Sequence, residues 1–244
     1  MTSIAVGDIH GRAELLRRLL ERIEPFRSPA TRLVFLGDYI DRGPDSRGVV
    51  DILLALRDEW SGPVHCLEGN HEEWFRESLE DPHQHGWLLA MEGLATVRSY
   101  APELAPEFAE ALREERTSLL GGRRRLPYDR LRDRMPGAHR RFFETLEPYV
   151  RDDNGIYVHA GIPPGAVDLS RVNPEVFRWG TAGFPESYSG SDLVVYGHYS
   201  RWARRVDGST RLRDTGSTLC LDSSRLGSLS ALVLPERRII ETFE

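Results

Sequence analysis

Five short polar segments of this 244-residue chain each follow an apolar run and each set metal-type donors beside a glycine. They are Gly7-Asp8-Ile9-His10-Gly11, Gly37-Asp38-Tyr39-Ile40-Asp41-Arg42-Gly43, Gly69-Asn70-His71-Glu72, His159-Ala160-Gly161 and Gly197-His198. Asp8 and His10 stand two apart at a strand end. An extended backbone points alternate side chains the same way, so both could grip one ion. Asp38 repeats the arrangement after Val34-Phe35-Leu36, and its two carboxylate oxygens could bridge two ions. Asn70 offers a neutral carbonyl oxygen, and His159 and His198 offer imidazoles. Mixed oxygen and nitrogen donors suit Mn²⁺, Fe or Zn²⁺, and the lack of thiolates argues against a structural zinc site. The pattern Gly-Asp-x-x-Asp-Arg-Gly fixes five positions. A chance match in a chain of this length is on the order of one in ten thousand.

The elements that must carry these segments alternate near the N-terminus. Strands are predicted at Ile4–Val6, Arg32–Leu36 and Val64–Leu67. Helices are predicted at Ala13–Ile23, where leucines at 15, 16, 19 and 20 form a stripe, at Val49–Leu56 with Ser46 as N-cap, and at His71–Leu79. This rhythm implies a largely parallel sheet with ligands at the carboxyl ends of its strands. Residues from about 80 to 150 break it. Segments such as Pro106–Arg116 and Ala138–Leu146 read as helical, which predicts a helical insertion or cap. Strand signals return at Ile156–Val158, Leu193–Tyr196, Leu219–Leu221, Ser230–Leu234 and Ile239–Phe243, the last three suggesting an antiparallel second sheet.

Composition is that of an ordinary globular protein, 40% hydrophobic and 29% charged. No apolar run approaches the roughly 20 residues needed to cross a bilayer, and no secretory signal is visible. Cys66 and Cys220 lie in apolar runs and are expected to be free, buried thiols, which points to the cytoplasm. A net charge of −6 argues against binding of duplex nucleic acid. Every basic side chain is arginine, so no lysine takes part in catalysis.

In order and spacing, the polar segments resemble those of the phosphoprotein-phosphatase branch of the calcineurin-like metallophosphoesterases, especially the compact bacterial and phage enzymes. The matching motifs run from Asp8 to His198. The resemblance implies an α+β fold of four layers, a central β-sandwich flanked by helices, with the metals where the two sheets meet. It also implies one domain over residues 1–244 with the helical insertion at about 80–150. It assigns a first ion to Asp8, His10 and Asp38, and a second to Asp38, Asn70, His159 and His198. Two di- or trivalent ions are thus expected, Mn²⁺ in first place and Fe or Zn²⁺ as alternatives. A hydroxide bridging them would attack phosphorus directly. Arg42 would clamp a phosphate oxygen, His71 would protonate the departing oxygen, and Asp41 would hold His71 protonated and aimed. Glu72 would support these residues from behind.

Three departures bear on the substrate. Relatives commonly carry Trp-x-Arg-x-x-Phe before the last histidine, whereas here Thr181 follows Arg178-Trp179-Gly180 in the arginine position. Arg178 or a loop arginine such as Arg201 could supply that second phosphate contact. Gly197-His198 is followed by Tyr199-Ser200 in place of Thr-Pro, so Tyr199 either stacks on an aromatic leaving group or packs over Trp202. The segment Asp222-Ser223-Ser224 stands where Asp-Thr-Gly is common. The basic run Arg123-Arg124-Arg125 and its neighbours up to Arg141 reads as a solvated, paired surface or as a cap attracting anionic substrates, and Trp87 as cap packing.

The leading expectation is a metal-dependent phosphatase acting on a phosphorylated protein, at phosphoserine or phosphothreonine, or on a small phosphoester. The alternative is a dinucleoside polyphosphate hydrolase of the diadenosine tetraphosphate type, which Asp41 counts against because such relatives usually lack it. A non-catalytic binding module on the same fold would be marked by a lost ligand, and none is lost.

Overall fold

The computed structural model describes residues 1–114, 116–166 and 168–244, with only the backbone of Arg116. The N-terminal part alternates β1 (Thr2–Val6), α1 (Ala13–Ile23), β2 (Thr31–Phe35), α2 (Ser46–Glu59), β3 (Val64–Cys66) and α3 (Asn70–Glu80). Six short helices follow: α4 (Gly86–Ala90), α5 (Leu94–Tyr100), α6 (Ala105–Glu114), α7 (Arg116–Leu120), α8 (Tyr128–Arg134) and α9 (Gly137–Glu144). Residue 115, within the helix expected over 106–116, lies outside the described residues. The chain then forms β4 (Tyr149–Asp152), β5 (Gly155–Val158), α10 (Pro174–Trp179), β6 (Val194–Tyr196), the small hairpin β7 (Arg204–Val206) and β8 (Ser209–Arg211), β9 (Thr218–Cys220), β10 (Ser228–Leu234) and β11 (Arg238–Phe243).

Two sheets pack face to face, one ordered β11-β10-β1-β2-β3 and the other β4-β5-β6-β9. The two-residue period of an extended chain explains the layering. Ala5, Val34, Tyr157, Val195 and Leu232 point between the sheets, where they meet Leu36, Leu67 and Leu221. Their neighbours Ile4, Val6, Leu33, Phe35, Ala231 and Val233 point outward into a core shared with the helices. On the other outer face, Ile156, Val158, Val194 and Tyr196 meet Phe177 of α10 and Phe184. Helices, sheet, sheet and helix are the four layers, in agreement with the expected α+β sandwich. In α1, Leu15, Leu16, Leu19 and Ile23 are buried, and each such side chain contributes about 1.5–3 kcal/mol of transfer free energy.

Two expectations are corrected. The last three strands do not make a second antiparallel sheet. β10 and β11 do form a hairpin, but β10 lies antiparallel to β1 with Ser3 opposite Leu234, while β9 runs parallel to β6 in the other sheet. Every residue of β10 is buried and its side chains serve both cores, so it needs cover on both faces. A place beside β1, between helices and sandwich interior, gives it that. At α2 the N-cap is Asp45, whose carboxylate accepts from Gly48 N–H at 2.8 Å, and Ser46 is the first helical residue. Its hydroxyl is used elsewhere: it accepts from Asp41 N–H at 3.1 Å and pairs with the Thr96 hydroxyl at 2.9 Å.

Among the described residues of 81–148 there is no strand. Their helices join the outer core through Trp87, Phe108, Tyr128 and Phe142, which are buried with Ile4 and Leu33 in one apolar cluster. Cys66 and Cys220 are free and buried. Among the described residues, no helix is long and apolar enough to cross a membrane.

Candidate functional site

β1, β2, β3, β5 and β6 each end in one of the polar segments. β1–β3 run parallel to one another in one sheet, as do β5 and β6 in the other. Five carboxyl ends therefore meet at one edge of the sandwich. The turns are tight enough to force left-handed backbone on side-chain-bearing residues: φ is 47° at His10, 54° at Asp38, 70° at Asp41, 63° at Arg42 and 66° at His198. Such conformations cost of order 1–3 kcal/mol each and concentrate where geometry serves a site. Glycine is required where backbone meets carboxylate. A Cβ on Gly69 would lie 2.2 Å from Asp38 Oδ1, and one on Gly197 would lie 2.0 Å from Asp8 Oδ1.

Asp38 is the hub. Its Oδ1 lies 3.4 Å from His159 Nε2, and its Oδ2 lies 3.6 Å from His10 Nε2 and 3.7 Å from His71 Nε2. Asp8 Oδ2 stands 3.9 Å from His10 Nε2, and both Asp8 oxygens accept from His198 N–H. Asn70 Oδ1 is 3.0 Å from both His159 Nε2 and His198 Nδ1. Burial alone would raise the Asp38 carboxyl, but the imidazoles of His159, His71 and His10 hold it well below the usual carboxylate range. Asp8 is pushed up by burial and by the carboxylates of Asp222 and Asp38.

The hydrogen bonds show which nitrogens face the site. His10 Nδ1–H donates to the Ile40 carbonyl at 3.1 Å, and His159 Nδ1–H donates to the Leu36 carbonyl at 2.8 Å. Each ring therefore turns its Nε2 inward. At His159 that nitrogen faces the carbonyl oxygen of Asn70 and a carboxylate oxygen of Asp38, a set of ligand-type atoms that a cation between them would reconcile. Burial, then the neighbouring His71, lowers the His10 imidazole well below its ordinary value. Burial and His159 push His198 down to about 3, so these rings are neutral, as metal ligands must be. Groups of donors close enough to hold an ion are His10 with Asp38 and His71, and Asp38 with His159 and His198. The residue types fit two divalent cations sharing Asp38.

His71 and Asp41 form a second constellation beside this hub. His71 Nδ1–H donates to Asp41 Oδ2 at 2.7 Å. Burial disfavours the imidazolium, but the Asp38 and Asp41 carboxylates outweigh it and hold His71 above its ordinary value. Asp41 is fully buried. Burial pushes its carboxyl up and the donors of His71, Thr96 and Trp87 pull it down, leaving it raised. Trp87 Nε1–H donates to Oδ2 at 2.8 Å and the Thr96 hydroxyl donates to Oδ1 at 2.6 Å. Thr96 was not singled out from the sequence, and Trp87 was expected only to pack; they sit in α5 and α4, far from any motif. Trp87 packs the helical segment as expected and also grips Asp41. Arg42 reaches His10 Nε2 at 2.8 Å and His71 Nε2 at 3.3 Å, so its guanidinium spans both constellations.

Glu72 supports the whole loop. It is fully buried, and its carboxylate accepts from the N–H groups of Asp38 at 2.9 Å, Tyr39 at 2.8 Å, Ile40 at 3.3 Å and Gly69 at 3.1 Å. Glu72→Ala strands these donors in a dry interior and is expected to cost roughly 3–5 kcal/mol, read as a lower urea midpoint for the metal-free protein. A change under 1 kcal/mol would contradict this role.

Other residues singled out from the sequence find these partners. The Arg178 guanidinium is taken up by carboxylates, with Nη1 2.9 Å from Glu68 and Nη2 against Glu73. Tyr199 stacks on Trp202 with centroids 4.3 Å apart, packs its edge on His198 at 4.6 Å, and lies beneath Arg201. Asp222 is buried beside Asp8; its Oδ1 accepts from Ser224 N–H and hydroxyl, and its Oδ2 has no hydrogen-bond partner. In the basic run, Arg125, Arg130 and Arg134 pair with Asp129, Glu107 and Glu103.

A family model described as calcineurin-like phosphoesterase matches residues 1–200. Over 73 residues, 27% of this chain, the sequence is 41% identical to the serine/threonine-protein phosphatase BSL2 of Arabidopsis thaliana, covering 7% of that protein. The chain spans less than a fifth of the length of the first serine/threonine phosphatases it matches. Against the bis(5'-nucleosyl)-tetraphosphatase PrpE (asymmetrical) of Oceanobacillus iheyensis it is 25% identical, covering 96% of this chain and 89% of that one. A solved protein described as a candidate diadenosine tetraphosphatase superposes with a TM-score of 0.63 at 22% identity, over 99% of this chain and 92% of the other. That likeness shows the fold.

Proposed function

The chain belongs to the calcineurin-like phosphoesterase family, and on that premise we propose that it is a dinuclear-metal phosphatase acting on phosphomonoesters, with phosphoserine or phosphothreonine in proteins as its substrate class. The observation that carries this is the convergence of imidazole nitrogens on the two oxygens of one buried carboxylate, Asp38. Asp8, His10 and Asp38 would hold one ion and Asp38, Asn70, His159 and His198 the other, with Mn²⁺ first and Fe or Zn²⁺ as alternatives. Bound ions supply hydroxide at neutral pH and neutralise charge on the phosphoryl oxygens. Arg42 orients the phosphoryl group through its planar fork. His71 gives its Nε2 proton to the departing alkoxide, and Asp41 keeps the ring aimed and charged. The chain works as one domain over 1–244 with the helical segment of about 80–150 as a cap.

A second reading, hydrolysis of dinucleoside polyphosphates, is favoured by the near full-length similarity to PrpE. The stacked Tyr199 and Trp202 rings under Arg201 are suited to a nucleobase beside His198. Parallel kinetics on a phosphoserine peptide and on diadenosine tetraphosphate, both with Mn²⁺, separate the two. The peptide is expected to give the higher kcat/KM; a tenfold preference for the dinucleotide would overturn the leading assignment.

A further inference from the structure

Beside the metal centre lies a pocket of about 500 Å³ walled by Trp74 and Trp179, whose rings sit 4.8 Å apart at 48°. Trp179 is the wall shared with the site: its ring lies 6.3 Å from that of His198. The remaining lining is Glu73, Glu77, Asn173, Glu175 and Arg178. The one cation among these is spent, since Arg178 is held by Glu68 and Glu73. Glu73 also accepts from Trp179 Nε1–H at 2.6 Å, which fixes the indole plane against the pocket. Glu77 and Glu175 are exposed at the rim. Burial and the nearby charge of Glu73 push the Glu77 carboxyl up, and the guanidiniums of Arg178 and Arg76 offset this only in part.

Two indole faces with three glutamates against one arginine in the lining favour a cation and disfavour an anion. From these features we infer that the pocket is a specificity subsite for a basic side chain, arginine or lysine, of a phosphorylated peptide whose phosphate occupies the metal centre. The inference rests on the protein phosphatase reading. The distances set the register. From His198 past Trp179 to Trp74 is a span that two or three residues of extended chain cover at roughly 3.3–3.6 Å each. The basic residue therefore lies two or three positions from the phosphorylated one. A long cationic side chain lays its methylenes along the indoles and its charge toward Glu77 and Glu175.

The test compares phosphoserine peptides that differ only in carrying arginine or alanine two and three positions from the phosphoserine, on either side. The Mn²⁺-loaded protein is expected to favour an arginine peptide by roughly 10-fold in kcat/KM, mostly through KM. In the double variant Glu77→Gln, Glu175→Gln the arginine-to-alanine ratio should fall toward one. Both are surface positions, and a matching thermal melt confirms that the variant is folded. A wild-type ratio within twofold, or a ratio unchanged in the double variant, overturns the subsite while leaving the phosphatase reading intact. If p-nitrophenyl phosphate is hydrolysed but no peptide is, the protein phosphatase reading fails and the subsite fails with it.

Discussion

Asp38→Asn is expected to release metal from both halves of the site and to lower kcat/KM for p-nitrophenyl phosphate by roughly 10³-fold or more. Among the described residues, Asp38 is the member common to both groups of donors. One of its oxygens looks to His159 and the other to His10 and His71. The substitution keeps the size of the side chain but removes the charge that balances two cations in a buried, low-dielectric setting. It also replaces one acceptor oxygen with an NH₂ whose hydrogens point at imidazole nitrogens. Asn70→Ala is the matched comparison. It removes a neutral oxygen that meets His159 and His198, so it should weaken one ion and leave the other. Elemental analysis after dialysis reads the outcome directly: close to no bound metal for Asp38→Asn, and a partial loss for Asn70→Ala. A fully loaded Asp38→Asn protein with normal turnover would remove Asp38 from its central place.

The contrast between these residues and the rest of the site shows what a sequence can carry. The strands before Gly7 and Gly37 were legible because a strand buried on both faces is an unbroken apolar run, as in Leu33-Val34-Phe35-Leu36. The donors were legible because each stands where such a run stops. The hairpin of β10 and β11 was legible as a pair but not as a member of the first sheet. A short turn fixes antiparallel pairing with the adjacent strand; it does not say which other strand the pair will join. That choice came from β10 being buried on both faces, a tertiary demand. Ser46 and Asp45 are both good capping residues, and the contest was decided by Asp41 and Thr96, which engage the serine hydroxyl. The bonds of Thr96 and Trp87 to Asp41 were invisible for a related reason. Their partner Asp41 is more than 40 positions away, and a hydrogen bond across that separation leaves no periodicity or spacing to read. Arg178 shows the converse: its place beside Trp179 suggested a phosphate, and Glu68 and Glu73 from other elements claimed it.

The second large effect concerns the proton. His71→Asn should lower kcat by roughly 10²–10⁴-fold, the range for loss of a positioned general acid. The geometry leaves His71 two duties to be separated, because its Nε2 lies close enough to His10 and Asp38 to share an ion with them, and the proposed reading makes it the proton donor. Its Nδ1–H is tied to Asp41, and against burial and the nearby Arg42 guanidinium the carboxylates of Asp38 and Asp41 favour the charged ring. The leaving group tests the proton-donor duty. A nitrophenolate departs without help, whereas a serine alkoxide does not. The variant should therefore lose far more activity on a phosphoserine peptide than on p-nitrophenyl phosphate, with its metal content unchanged. Equal losses on both substrates together with lost metal would make His71 a ligand instead. Asp41→Asn should reproduce the pattern, and the double variant should be little worse than either single one, since the pair acts as a unit. Trp87→Phe keeps the ring and deletes one of the three side-chain donors to Asp41. Its loss should share the leaving-group signature at a smaller size, because Thr96 still holds the other oxygen in place.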